Sequence, residues 1–143
     1  MSNHAFATLE VLVVDDEKDN QYLMQLLLEE LGCKFEFASH GEQAVDMVRR
    51  KRYDLVLMDL RMPVMDGVTA TRMIRAEVDK HVPIIAVTAH ALDSVREECR
   101  AAGMNGFFPR PFEYEQLKSA VADWLRTHCP DAQAAPVPNV PRA

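Results

Sequence analysis

The sequence predicts a doubly wound α/β domain, a five-stranded parallel sheet with helices on both faces. Three observations lead there. Five short apolar runs alternate with five segments of helical period, the runs are nearly continuous rather than alternating, and acidic residues stand directly after two of them. Continuous apolar strands are buried on both faces, as in parallel sheets covered by helices. Right-handed crossovers then distribute the helices over both faces, and functional groups gather beyond the carboxyl ends of the strands.

Each element follows from its residues. Leu9 to Val14 reads as the first strand. The next segment places Leu23, Leu27 and Leu31 four residues apart, with Met24 and Leu28 beside them, and Gly32 stops it. Lys34 to Ala38 is a short second strand. Ser39-His40-Gly41-Glu42 fits a Ser-x-x-Glu capping box at the start of a helix from about Gly41 to Arg50. Leu55 to Met58 is the third strand. Asp66-Gly67 opens a helix carrying Val68, Thr71 and Met73-Ile74 inward, which His81-Val82-Pro83 breaks. Ile84 to Val87 is the fourth strand, ending at Thr88, and a helix follows from Ala91 or Ser94 to Ala102, stopped by Gly103. Gly106-Phe107-Phe108 is the fifth strand. Leu117, Val121, Trp124 and Leu125 give the cleanest helical stripe in the chain.

Composition narrows the function classes. A chain of 143 residues with 48% hydrophobic and 27% charged residues fits one globular domain. No apolar run approaches the roughly 18 residues of a membrane span, and the first residues lack the basic and apolar regions of a signal peptide. The expectation is a cytoplasmic protein that does not engage a membrane. A net charge of -6 argues against nucleic acid as a partner. The basic run Arg49-Arg50-Lys51-Arg52 reads better as charge complementing the end of a helix dipole. Cys33, Cys99 and Cys129 form no Cys-x-x-Cys or Cys/His cluster, which leaves structural thiols or a regulatory thiol. Residues 1–8 form a lead-in, 9–128 the domain, and 129–143 a Pro/Ala-rich tail expected to be flexible, since 130–143 holds four of the eight prolines. Its Pro136-x-Pro138-x-x-Pro141 spacing also permits docking as an extended left-handed helix.

The chemistry concentrates on three aspartates. Asp59 closes the run Leu55-Val56-Leu57-Met58, and Asp15-Asp16 ends Val11-Leu12-Val13-Val14, so parallel neighbouring strands bring three carboxylates to one rim. Such groups repel unless protons or a cation intervene, and Mg2+ accepts an oxygen-only environment. An acidic pair at a strand end is also a common loop start or helix cap.

Four segments carry a resemblance: Val13-Val14-Asp15-Asp16-Glu17, Met58-Asp59-Leu60-Arg61-Met62-Pro63-Val64-Met65-Asp66-Gly67, Val87-Thr88-Ala89 and Arg110-Pro111-Phe112. In this order they resemble the receiver domain of two-component response regulators, from approximately Leu9 to Arg126, in wording most like receivers of hybrid sensor kinases. The resemblance implies the flavodoxin-like receiver fold and makes Asp59 the phosphoacceptor for a phosphohistidine on a sensor histidine kinase or histidine phosphotransfer domain. It implies Mg2+ held by Asp16, by Asp15 largely through water, by Asp59 and by the backbone carbonyl of Arg61. Thr88 matches the hydroxyl position and Phe107 the aromatic position that repacks with it, which directs the readout to the surface of the fourth helix, fifth strand and fifth helix. That surface would serve a downstream protein target or a homodimer. Arg61 and His90 flank the path of an attacking water.

Arg110 departs from the family, which places lysine there. Charge is kept, but a planar five-donor fork replaces a compact ammonium. The family's corresponding peptide bond before proline is commonly cis, an expectation carried to Arg110-Pro111. The leading expectation is a single-domain receiver, not an enzyme in the usual sense, that assists its own phosphorylation and dephosphorylation. The alternative is a phosphorylation-independent interaction module in which Arg110 occupies the acidic pocket. A Mg2+-dependent phosphohydrolase ranks third, because its second aspartate, two residues past the nucleophile, is Arg61 here.

Overall fold

The computed structural model describes residues 6–89 and 92–128. Five strands, β1 (Glu10–Val14), β2 (Lys34–Ala38), β3 (Leu55–Met58), β4 (Ile84–Thr88) and β5 (Gly106–Pro109), alternate with five helices, α1 (Lys18–Leu31), α2 (Gly41–Arg50), α3 (Gly67–Met73), α4 (Asp93–Ala102) and α5 (Tyr114–His128). All neighbouring strands run parallel in the order β2-β1-β3-β4-β5. The flavodoxin-like fold expected from the sequence is the fold found. Strand order reverses beside β1, so β1 and β3 lie side by side with their carboxyl ends at the switch point.

The pleat sorts the core into two halves. Leu12, Val14, Val56, Met58, Ile84 and Ala86 face one cluster under α2, α3 and α4. Val11, Val13, Leu55, Leu57, Ile85 and Val87 face the other under α1 and α5. Alternate residues of a strand point to opposite faces, so nearly every strand position is apolar. Phe6 lies upstream of β1 and is almost fully buried in the second half. The α5 stripe behaves as its spacing predicts at Leu117, Val121 and Leu125, whereas Trp124 is half-buried at its edge. Residues 129–143 and His90 fall outside the described residues.

Two helix ends differ from the sequence reading. The α2 cap is His40, not Ser39: His40 is extended (φ -160°, ψ 172°) and its Nδ1 accepts the Gln43 N–H at 3.2 Å, while Gln43 Oε1 accepts from Ser39 N–H at 2.7 Å. The pairing is a variant of the capping box, in which the Gln43 side chain returns to the residue before the cap and not to the cap itself. The third helix does not run regularly to His81. It widens at Ile74–Val78 into a π-turn closed by the Asp79 N–H on Ile74 O at 2.8 Å. This turn carries Arg75, which donates to Gly103 O (3.0 Å), Asp79 O (3.1 Å) and Asn105 Oδ1 (2.8 Å). Asn105 Oδ1 also accepts from Ile84 N–H at 2.9 Å, so Arg75 fixes the C-terminal end of α4 to the start of β4.

Three members of the basic run are paired: Arg49 with Glu77 (3.5 Å), Arg50 with Asp46 (2.9 Å) and Lys51 with Glu10 (3.0 Å) and Glu36 (3.2 Å). The run is a solvated helix end held by acidic neighbours. Cys33 and Cys99 are buried free thiols, and burial pushes the Cys33 thiol up to about 11. Among the described residues no helix is long and apolar enough to cross a membrane.

The segment after β3 depends on close backbone approach. Val64 adopts φ 70°, rare for a β-branched residue, in a three-residue turn where Met65 N–H meets Pro63 O at 2.7 Å. Strain of this kind costs about 1–3 kcal/mol and persists where the surroundings enforce it. Here Gly41 N–H donates to Met65 O at 2.9 Å, and Gly67 N–H donates to Leu60 O at 3.0 Å. A Cβ at Gly67 would stand 2.2 Å from the Asp59 carbonyl oxygen and 2.9 Å from Met58 Cγ. Gly67→Ala is therefore expected to destabilise the fold by about 1–3 kcal/mol, the usual range for overpacking, in urea unfolding. An unchanged unfolding midpoint would show that α3 does not need to approach Asp59 so closely.

Candidate functional site

Asp15 and Asp59 leave adjacent strands at the same level because β1 and β3 pair in register up to Val14 and Met58. The Asp59 N–H extends the ladder to Val14 O at 2.9 Å, and the Asp15 N–H reaches Ala38 O at 3.0 Å. Asp16 follows in the loop. One carboxylate oxygen from each of Asp15, Asp16 and Asp59 lies within 4.8 Å of the other two. The convergence expected from the sequence is present.

The three carboxylates have unequal surroundings. Asp15 is buried, and its Oδ1 accepts from Glu17 N–H at 2.9 Å and Asn20 Nδ2 at 3.3 Å. Its carbonyl accepts from Gln21 Nε2 at 2.7 Å. Asp16 is exposed. Asp59 is only 9% exposed, and its Oδ1 accepts from Leu60 N–H at 2.7 Å. Burial, and then the Asp15 charge, hold the Asp59 carboxyl above its ordinary range, against the opposing pull of Arg110 and the Leu60 and Arg61 amides.

Arg110 is the cation of the site. Its Nη2 lies 3.0 Å from Asp15 Oδ2 and its Nη1 3.9 Å from Asp59 Oδ1. The Arg110 main-chain N–H donates to Thr88 O at 2.7 Å, tying the end of β5 to that of β4, and the Arg110-Pro111 bond is cis. Thr88 is fully buried at the end of β4. Phe107 pairs with Ala86 and is half-buried against the α2–α4 side of the core. Arg61 is exposed and is one of the residues around a groove of about 250 Å³, with Asp66, Arg72, Leu92 and Glu98. Asp15, Asp59, Arg110 and the carboxyl end of Thr88 thus meet at one rim.

Sequence reasoning missed Asn20 and Gln21, which orient Asp15 from the first turns of α1. Their spacing from Asp15, five and six residues on, fits no motif that would have marked them. It also missed Arg96, whose guanidinium lies over the Phe107 ring.

The sequence profile of the response regulator receiver domain matches residues 11–122. The chain belongs to that family. This receiver is 39% identical over 131 residues to the sensor protein GacS of Pseudomonas syringae pv. syringae, a match covering 86% of the receiver and 14% of GacS. It is 35% identical over 127 residues to the osmosensing histidine protein kinase SLN1 of Saccharomyces cerevisiae, covering 85% of the receiver and 10% of SLN1. Among solved structures, it superposes with TM-score 0.76 and 44% identity on the receiver domain of sensor histidine kinase PA1611 from Pseudomonas aeruginosa PAO1, covering 84% of this receiver and 99% of that domain. That structure has a magnesium ion coordinated in its active-site cleft. The receiver spans only a small part of the length of these curated kinases. It is a receiver domain of two-component signalling. Its oxygen-only cluster of Asp15, Asp16 and Asp59 could hold a hard divalent cation.

The raised Asp59 carboxyl has a testable consequence. The folded chain binds that proton more tightly than the unfolded chain, so the associated stability is full below the ordinary value of 3.8 and is lost as pH rises through the folded value. In metal-free buffer at pH 7, Asp59→Asn is expected to melt at a higher temperature than the parent chain. The difference should shrink as the pH falls towards the ordinary carboxylate range. Equal melting temperatures at pH 7 would show that burial and the Asp15 charge do not penalise the Asp59 carboxylate.

Proposed function

We propose that Asp59 accepts a phosphoryl group from a phosphohistidine on a sensor histidine kinase or histidine phosphotransfer domain. The receiver then alters a protein-binding surface for a downstream target or passes the group onward. The observation that carries this reading is the buried Asp59 carboxylate at a strand end, with Asp15 and Asp16 within 4.8 Å and the Arg110 guanidinium alongside. Asp15, Asp16, Asp59 and the Arg61 backbone carbonyl would hold Mg2+, which when bound supplies charge neutralisation and alignment at the phosphoryl oxygens.

The chain's own residues have distinct parts. An Asp59 carboxylate oxygen forms the new O–P bond as the P–N bond to imidazole breaks, and the departing imidazole takes up a proton. Asp15 is kept in place by Glu17, Asn20 and Arg110 and maintains the charge that draws a cation to the rim. Arg110 offsets negative charge on Asp59 before and after transfer. Thr88 would donate its hydroxyl to a phosphoryl oxygen, and Phe107 would repack with it, redirecting the α4–β5–α5 surface. Arg61 and His90 would tune the lifetime of the aspartyl phosphate. With Mg2+ and acetyl phosphate, the parent chain should gain one phosphoryl group in intact-mass measurement, and Asp59→Asn should gain none. Equal incorporation by both would remove Asp59 from the role.

The ion pair between Arg110 and Asp15 favours a second reading, an interaction module whose acidic pocket already holds its cation. The two readings differ in metal affinity. On the first, Arg110→Lys frees one Asp15 oxygen and strengthens Mg2+ binding by up to about tenfold, equivalent to ~1.4 kcal/mol, in calorimetric titration. On the second, the parent chain neither binds Mg2+ in the millimolar range nor takes phosphate from acetyl phosphate, and Arg110→Lys restores both.

A further inference from the structure

Phe107 is covered by a charge. Arg96 of α4 places its guanidinium carbon 4.5 Å from the centroid of the Phe107 ring, within the range where a cation is drawn to an aromatic face. Arginine suits this contact because its planar group can lie along a ring. The neighbouring Glu97 is engaged elsewhere, by Arg100 Nη2 at 2.6 and 2.8 Å. Beneath the guanidinium, the ring packs against the apolar cluster shared by β4, α3 and α4.

The ring's place in the sheet gives the contact meaning. Phe107 pairs with Ala86 in the β4–β5 register, and Thr88 lies two residues further along β4 on the same face. A ring that moves towards Thr88 leaves the guanidinium unless α4 follows. The helix is not equally free along its length, because Arg75 secures its C-terminal end through Gly103 O and Asn105. Its other end begins after Leu92, which is 70% exposed, and Arg96 sits in the first turn of that end.

We propose that Arg96 is a positioning residue: it holds the Phe107 ring against the N-terminal half of α4 and sets how readily the receiver passes to its phosphorylated arrangement. The link to phosphorylation rests on the reading of Asp59 given above, whereas the restraint on the ring rests on the geometry alone. A cation–aromatic contact at an exposed site has the strength to change a two-state ratio about twofold to fivefold.

The test uses the full chain with Arg96→Gln and Arg96→Lys, each alone and combined with Phe107→Leu. Ring ¹³C shifts and relaxation dispersion of Phe107 are recorded without phosphodonor, and the rate of phosphoryl incorporation from acetyl phosphate with Mg2+ is measured beside them. Arg96→Gln should raise the population of the displaced ring and the rate of incorporation by the same factor, about twofold to fivefold, and Arg96→Lys should fall between it and the parent. In the Phe107→Leu background, Arg96→Gln should leave the rate unchanged. An unmoved ring population, or the same acceleration without the Phe107 ring, would overturn the proposal. If the parent chain takes no phosphoryl group, the Asp59 reading fails and the ring population alone decides whether Arg96 restrains Phe107.

Discussion

The site is organised by the repulsion among Asp15, Asp16 and Asp59, whose oxygens come within 4.8 Å of one another, at least two of them out of bulk solvent. Like charges brought together in a region of reduced dielectric favour protonation, cation binding or a compensating side chain, and Asp59 registers this in its raised carboxyl. The surrounding structure acts against relaxation by movement. Asp59 N–H is locked to Val14 O, Asp15 N–H to Ala38 O, and Gly67 brings α3 against the Asp59 carbonyl so that its strand end has no room to retreat. The fold therefore keeps the carboxylates together and leaves their charge to be answered from outside the sheet.

Arg110 gives the answer available within the chain, and its shape decides how. A guanidinium presents separate nitrogens, and here Nη2 meets Asp15 while Nη1 is nearer Asp59. A lysine ammonium is a single point and would have to divide its position between them. The consequence is an uneven rim. Asp15 is satisfied by a backbone amide, an asparagine and the arginine, while Asp16 stays in solvent. An incoming cation thus meets two carboxylates with spare capacity and one already engaged.

The outline of this arrangement was legible in the sequence because it depends on period and order. Continuous apolar runs at Val11–Val14, Leu55–Met58 and Ile84–Val87 identify buried parallel strands, and the residue directly after such a run lies on the rim wherever its neighbours place it. What depended on distance was not legible. Nothing in the spacing tells that Asn20 turns back to Asp15, that His40 rather than Ser39 caps α2, or that Arg75 leaves the third helix at a π-turn to reach Gly103. Arg96 is the sharpest instance. On α4 it reads as one more solvated cation, and only the β4–β5 register brings an aromatic ring beneath it.

The pleat also decides which side of the domain can sense an event at the rim. Thr88 and Phe107 share the face covered by α4, whereas Phe108 points to the other face and stacks edge-on with Phe112 at 5.4 Å. That other side is tied by Tyr114 Oη to Glu30 at 2.6 Å and Lys118 Nζ to Glu30 at 3.2 Å, which link α5 to α1. Exposed ion pairs of this kind add little stability singly, but two converging on one carboxylate above a shared apolar seam resist separation of the helices. On the α4 side, Arg75 secures the C-terminal end of the helix. A displacement of Thr88 therefore meets a helix whose C-terminal end is secured by Arg75, and the Arg96–Phe107 contact lies towards its other end.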